Sequence, residues 1–226
     1  MELIQQNPDI SAYLAADETV DHGHPVVREI SDRLWADHLD AYSYAKAAYE
    51  FVRDAVPHSV DSGDLRVTWR ASDVLATRNG ICVAKSHALA ALLRARAIPT
   101  AFCYQRLTED GADPMVHGLV AVRLPGRPGW ARQDPRGNKT GVDAQFSLDG
   151  ERLAWPVRPE FGEVDYPVLH AAPHPAVLAA LRAATDRPHL WRTYPTELRT
   201  ATPDPGSVRR RPFSRPVTAR RSARRP

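Results

Sequence analysis

Long apolar runs are missing from this chain of 226 residues, and so are cysteine-rich spacings. No stretch approaches the roughly 20 apolar residues that cross a bilayer as a helix, so no membrane insertion is expected. The opening residues, MELIQQNPDISAYLAADE, are polar and acidic. They lack the basic start and apolar middle of a secretory signal. Two cysteines, Cys82 and Cys103, cannot make a disulfide scaffold. No zinc-type spacing of Cys and His occurs either, so neither metal nor cofactor is expected. Together these absences predict reduced thiols and a cytoplasmic location. No internal repeat is visible, and 43% hydrophobic content suffices for one core and is short for two.

Charge is unevenly spread. Residues 199–226 hold nine arginines and one acid, Asp204, which leaves 21 basic and 26 acidic residues for 1–198. The formal net charge of +3 therefore hides an acidic body and a basic tail. The tail is Arg, Pro, Ser, Thr and Ala, a composition that builds no core and predicts disorder. Residues 1–198 are expected to form a single domain, with a helical N-terminal portion and a C-terminal extension.

Within the body, PVVREISDRLWADH (25–38) places Val26, Val27, Ile30 and Leu34 on one helical face, with Pro25 suited to the first turn. SYAKAAYEFVRDAV (43–56) repeats the pattern and stops at Pro57. Ser72 and Asp73 open a short apolar turn, and Asn79-Gly80 signals a turn just before Ile81-Cys82. A strong helix follows from Cys82 and ends before Pro99. The period then becomes extended, with strands over 100–107, 115–124 and 130–134. Residues 135–170 read as mostly irregular, pinned by Phe146, Trp155, Phe161 and Tyr166, and 175–182 as a short helix. One cysteine-bearing helix followed by an antiparallel meander is an α+β pattern.

The cysteine at the helix mouth carries the chemistry. A thiol in the first turn of a helix favours the thiolate. A nucleophilic cysteine also requires a histidine to move its proton and a group to orient that histidine. His117 and Asp134, on neighbouring strands about 5 Å apart, fit those two roles. Each residue has a plainer reading: Cys82 and His117 as packed residues, Asp134 before Pro135 as a turn initiator. Cys103, in mid-strand, reads as core. His87, five residues beyond Cys82, faces the wrong way for the thiol.

The run Gly80-Ile81-Cys82, the helix through Leu92-Leu93-Arg94-Ala95, Ile98-Pro99, His117, Trp130 and Asp134-Pro135 resembles the core of the transglutaminase-like superfamily. Small stand-alone bacterial members are the most similar, over roughly residues 45–170. The resemblance implies a papain-like α+β fold in which the nucleophile-bearing helix packs on an antiparallel sheet. It also implies a Cys82–His117–Asp134 triad acting on amides through a thioester. Two departures stand out. Gly118 and Leu119 follow the histidine where some members have an aromatic, a change expected to open or reshape the acceptor side of the pocket. Ala97 stands where glycine usually precedes Ile-Pro. Calcium dependence is not carried over, because no compact carboxylate loop is present.

An oxyanion donor comes most naturally from the Cys82 backbone N–H. Gln105, Trp69 and His58 are candidates for a second donor or a substrate contact. Arg136-Gly137-Asn138-Lys139 reads either as a substrate-contacting rim loop or as a solvated turn. The leading expectation is a peptidase or amidase acting on a peptide, protein or small amide. A transglutaminase with an amine acceptor is the alternative, and a noncatalytic peptide-binding module is a third. The basic tail is a candidate contact for an anionic partner such as nucleic acid.

Overall fold

The structure is a computed structural model that describes residues 1–198. The tail assigned to 199–226 lies outside the described residues. Three helices expected from periodicity are present: α1 (Pro25–Asp37), α2 (Ala41–Ala55) and the nucleophile helix, α5 (Cys82–Arg94). Between them lie the short helices α3 (Ser59–Ser62) and α4 (Ala71–Thr77). Asp40 caps α2 by accepting from the Tyr42 and Ser43 N–H groups.

The sheet has five strands: β1 (Ile4–Gln5), β2 (Thr100–Glu109), β3 (Ala112–Val122), β4 (Ala131–Gln133) and β5 (Val164–His170). Their spatial order is β1-β5-β2-β3-β4, antiparallel except for the β1–β5 pair. The expected meander is β2-β3-β4. The edge pair beyond it falls in segments read as irregular or polar, because β1 is two residues long and β5 carries Pro167, which argues against a strand. Two further helices, α6 (Pro175–Ala183) and α7 (Arg187–Thr193), follow.

Alternation along β2 and β3 serves both faces of the sheet. Phe102, Tyr104, Val116, Val120 and Val122 join the core shared with the helices. Ala101, Cys103, Leu119 and Ala121 join a second cluster with Tyr13 and Leu169. Cys103 is thus a core thiol, as its mid-strand position predicts. The fold is a mixed α+β architecture with a papain/transglutaminase-like core.

All thirteen residues of α5 are buried, not one face alone, because α1, α2 and α4 surround the side that the sheet leaves free. Its polar side chains therefore find internal partners, as buried polar groups must. Lys85 donates to the Arg53 and Val56 carbonyls, Ser86 lies within bonding distance of the Cys82 and Gly118 carbonyls, and His87 Nδ1 donates to Trp69 O.

Candidate active site

Cys82 is the first residue of α5, and the residue is 8% exposed. Ile81, at the N-cap, offers no side chain to the orphan N–H groups of the first turn. His58 reaches across instead: its Nε2 lies 3.1 Å from the Cys82 N. His58 is held there by a bridge to Gly80, with Ser59 N–H donating to Gly80 O at 3.1 Å.

His117 on β3 donates from Nε2 to Asp134 Oδ2 at 2.8 Å, and both residues are buried. This leaves Nδ1 as the nitrogen available to the thiol. Asp134 also accepts from the backbone N–H groups of Arg136 and Ala154, each at 3.1 Å, while Tyr49 OH donates to its carbonyl at 2.9 Å. Trp155 sets its ring edge-to-face with the imidazole, centroids 5.4 Å apart.

Electrostatics couple these groups. Burial opposes ionisation of Cys82, but the positive charge and hydrogen bond of His117, followed by those of His58, outweigh it and bring the thiol down to about 5. For His117, burial also opposes the charge, and Asp134 and the thiolate raise its pKa well above the ordinary imidazole range. Burial works against the Asp134 carboxylate too, yet His117 and the two backbone donors keep it ionised. The arrangement favours a thiolate–imidazolium pair, steadied by a buried carboxylate.

Of the three candidates for a second donor, only His58 meets the nucleophile's backbone. Gln105 is the register partner of His117, but its Nε2 donates to Asp165 Oδ1 at 2.9 Å. The guanidinium groups of Arg70 and Arg182 each lie 4.5 Å from the centroid of the Trp69 ring. Neither side chain is directed to the thiol by these contacts.

Gly118 also has a packing role, alongside the opened or reshaped pocket expected of it. A Cβ there would fall 2.2 Å from Val83 Cγ1, so the missing side chain lets α5 approach β3. The loop after Asp134 is likewise no solvated turn at its first residue. Arg136 is buried, forms a two-pronged ion pair with Asp61, and sits over Trp155 at 5.3 Å. Gly137, at φ +109°, passes close to Arg53 O and Lys85 Nζ. Lys139 also reaches Asp61, at 3.2 Å.

Tyr194 was not anticipated. Burial, then the negative charges of Cys82 and Tyr104, raise its phenol well above the usual range, and its hydroxyl has no hydrogen-bond partner among the described residues. The next residue, Pro195, accepts from the N–H of Val116, beside His117. No local pattern announces a contact made across 79 residues of chain.

Residues 28–135 match a family model described as the transglutaminase-like superfamily. Comparison with curated proteins gives no match. Among solved structures, a candidate cysteine protease from Cytophaga hutchinsonii is similar at 20% identity and TM-score 0.45, covering 57% of this chain and 43% of its own. The periplasmic domain of TgpA from Pseudomonas aeruginosa is similar at 22% identity and TM-score 0.40, covering 56% and 47%. This chain thus spans less than half the length of either. The cytoplasmic expectation is withdrawn: it rested only on signals not seen in the opening residues, and the matched TgpA domain is a periplasmic one. No helix among the described residues is long and apolar enough to cross a membrane. Superfamily and fold match cysteine-dependent acyltransferase and protease-like enzymes.

Proposed function

Proceeding from the transglutaminase-like superfamily fold of this chain, we propose that it is a cysteine-dependent acyl-transfer enzyme that cleaves amide or peptide bonds through a thioester on Cys82. The observation that carries this reading is the buried His117–Asp134 pair beside a thiol at a helix mouth. The Cys82 thiolate attacks the carbonyl carbon and forms the C–S bond. The imidazolium of His117 gives its proton to the leaving amine as the C–N bond breaks. Water then attacks the thioester while His117 takes a proton, and the carboxylic acid leaves as the thiol is restored. Asp134 holds the His117 tautomer and supports its positive charge without itself taking a proton. Residues 1–198 serve as one domain in this reading.

Hydrolysis ranks ahead of transamidation because its second half-reaction needs only water. The test is a library of acyl donors read by intact-protein mass spectrometry, with and without a primary amine. An adduct on Cys82 identifies the donor, and its release as acid or as amide separates the two outcomes. If no donor in the library leaves an adduct on Cys82, and turnover persists in Cys82→Ala, covalent catalysis at this residue is wrong.

A further inference from the structure

The chain beyond α6 returns to the catalytic groups. Arg187, the first residue of α7, donates its N–H to Leu65 O at 2.8 Å. Leu65 lies between His58 and Thr68, whose hydroxyl donates to Asn79 O at 2.8 Å, just ahead of Cys82. Past α7 the backbone is extended, with Tyr194 at φ −70° and ψ 140°. Pro195 O then accepts at 3.2 Å from the N–H of Val116, the residue before His117, and Leu198 N–H donates to Tyr166 OH at 2.9 Å. The stretch 187–198 is thus fastened at its start to the helical half that carries Cys82, and at its end to the sheet that carries His117.

Tyr194, midway between those ties, packs against the core cluster that includes Cys82. The negative charge of the thiolate is felt at its phenol. Cys82 and His117 are both buried beneath this arrangement. Its hold is incomplete. The Tyr194 hydroxyl is buried without a partner among the described residues, and a buried donor left unmade costs stability that water would restore on opening. Thr196 and Glu197 are exposed. Lifting 194–198 away would free the Val116 N–H, the Tyr166 hydroxyl and the apolar sites that hold Tyr194 and Leu198. A backbone donor beside the catalytic histidine, with apolar sites along the same line, suits an extended peptide, whose main chain supplies bonds and whose side chains fill pockets. A small amide would use none of these groups.

We propose that residues 194–198 are an internal strap across the peptide groove of this enzyme, and that its substrates are extended peptides that displace the strap. The inference rests on the acyl-transfer reading of Cys82 and specifies its substrate class. In the closed state the Pro195 carbonyl holds the Val116 N–H that a substrate carbonyl would take.

Two substitutions at one residue should pull in opposite directions. Tyr194→Phe removes only the unpaired hydroxyl, so closure tightens. Alkylation of Cys82 by iodoacetamide should slow about fivefold, without loss of thermal stability. Tyr194→Ala removes the anchor, and alkylation of the folded variant should quicken at least about fivefold. The expected order is Ala above parent above Phe. Any other order, equality included, would overturn the strap and leave a labelled Cys82 in place. No label on Cys82 in any of the three would instead remove the reactive thiol beneath the proposal. Hydrogen exchange of the intact wild-type chain gives a test free of substitutions. The Val116 amide should exchange well before those of Ala88 and Leu89 in α5, and equal protection would show that the strap does not open. The groove is tested with a blocked peptide of residues 193–198, TYPTEL. At millimolar concentration it should slow alkylation of Tyr194→Ala and of the parent, whereas acetamide should not. A peptide with no more effect than acetamide would refute the peptide groove.

Discussion

The two ends of α5 solve the same problem by different means. Both leave backbone groups that the helix itself cannot satisfy. At the mouth, Ile81 supplies no cap, and the Cys82 N–H faces a histidine brought from 24 residues away. At the far end the chain closes on itself: Ile98 N–H donates to Leu93 O, and Ala97 N–H to Arg94 O. Arg94 then ties that end to the rest of the fold, donating to the carbonyls of Ala15, Thr100 and Ala171. The mouth is thus assembled from distant segments around a reactive group, and the far end is a local stop. Substitutions at the mouth should cost reactivity, and those at the far end should cost stability.

The largest effect is expected from Cys82→Ala. It should abolish acyl adducts and remove iodoacetamide labelling from the folded protein, with little change in melting temperature. Peptide mapping of the parent should find label on Cys82 and none on Cys103. Both thiols are buried, but Cys103 lies among apolar groups that push its pKa up, whereas the imidazolium beside Cys82 pulls the other down. Labelling of Cys103 at the rate of Cys82 would erase the distinction.

Next comes His117→Ala, expected to lower turnover about 10²–10⁴-fold. The sign of its pH effect follows from the pair. The thiol is depressed to about 5, so the thiolate should persist as pH falls through neutrality and disappear near that value. Without His117 the opposition from burial remains, and labelling should require alkaline solution. Asp134→Ala should show the same trend more weakly. A parent profile that already rises only above pH 8 would contradict the ion pair.

The contrast also explains what the sequence discloses. The amphipathic periods of α1 and α2, the Cys82 helix start and the three strands of the meander are local patterns, and they appear close to where periodicity places them. Cys82, His117 and Asp134 were legible as a set because each stands at a recognisable element boundary or strand. What the pattern hides is contact across the chain. Pro195, next to Tyr194, bonds to Val116 on β3, and Arg136 is buried where Asp61 receives it. The selection of His58 over Gln105 and Trp69 likewise depends on tertiary neighbours that no spacing encodes.

At the far end, Arg94→Met should destabilise the fold by roughly 3 kcal/mol, because the buried Thr100 carbonyl and the carbonyls of Ala15 and Ala171 lose a shared charged donor. It should leave the alkylation rate of the folded protein within about twofold. Chemical denaturation and thiol labelling read the two quantities separately. A large loss of labelling at unchanged stability would mean that the ends of α5 are not separable.

The smallest effect concerns Ala97. The bonds from Ile98 to Leu93 and from Ala97 to Arg94 form a Schellman closure, with Ala97 at the position that turns left-handed. Its φ is +54°, a region costly to a residue with a Cβ. Ile98 and Leu93, the apolar pair that accompanies such a closure, are both in the core, and Pro99 prevents the helix from continuing. Glycine, the usual residue before Ile-Pro in the similar family, would remove the steric cost of about 1 kcal/mol. It would also widen the unfolded ensemble, which offsets roughly half of that gain or more. Ala97→Gly should therefore raise stability by about 0.5 kcal/mol, or one to two degrees in melting temperature for a domain of roughly this size. Ala97→Val, with a branched Cβ in the same conformation, should lower it by more than glycine raises it. Calorimetry of the two variants against the parent gives the order Gly above Ala above Val. The reverse order would show that Ala97 does not carry the left-handed turn, and the far end of α5 would then lack the local stop that distinguishes it from the mouth.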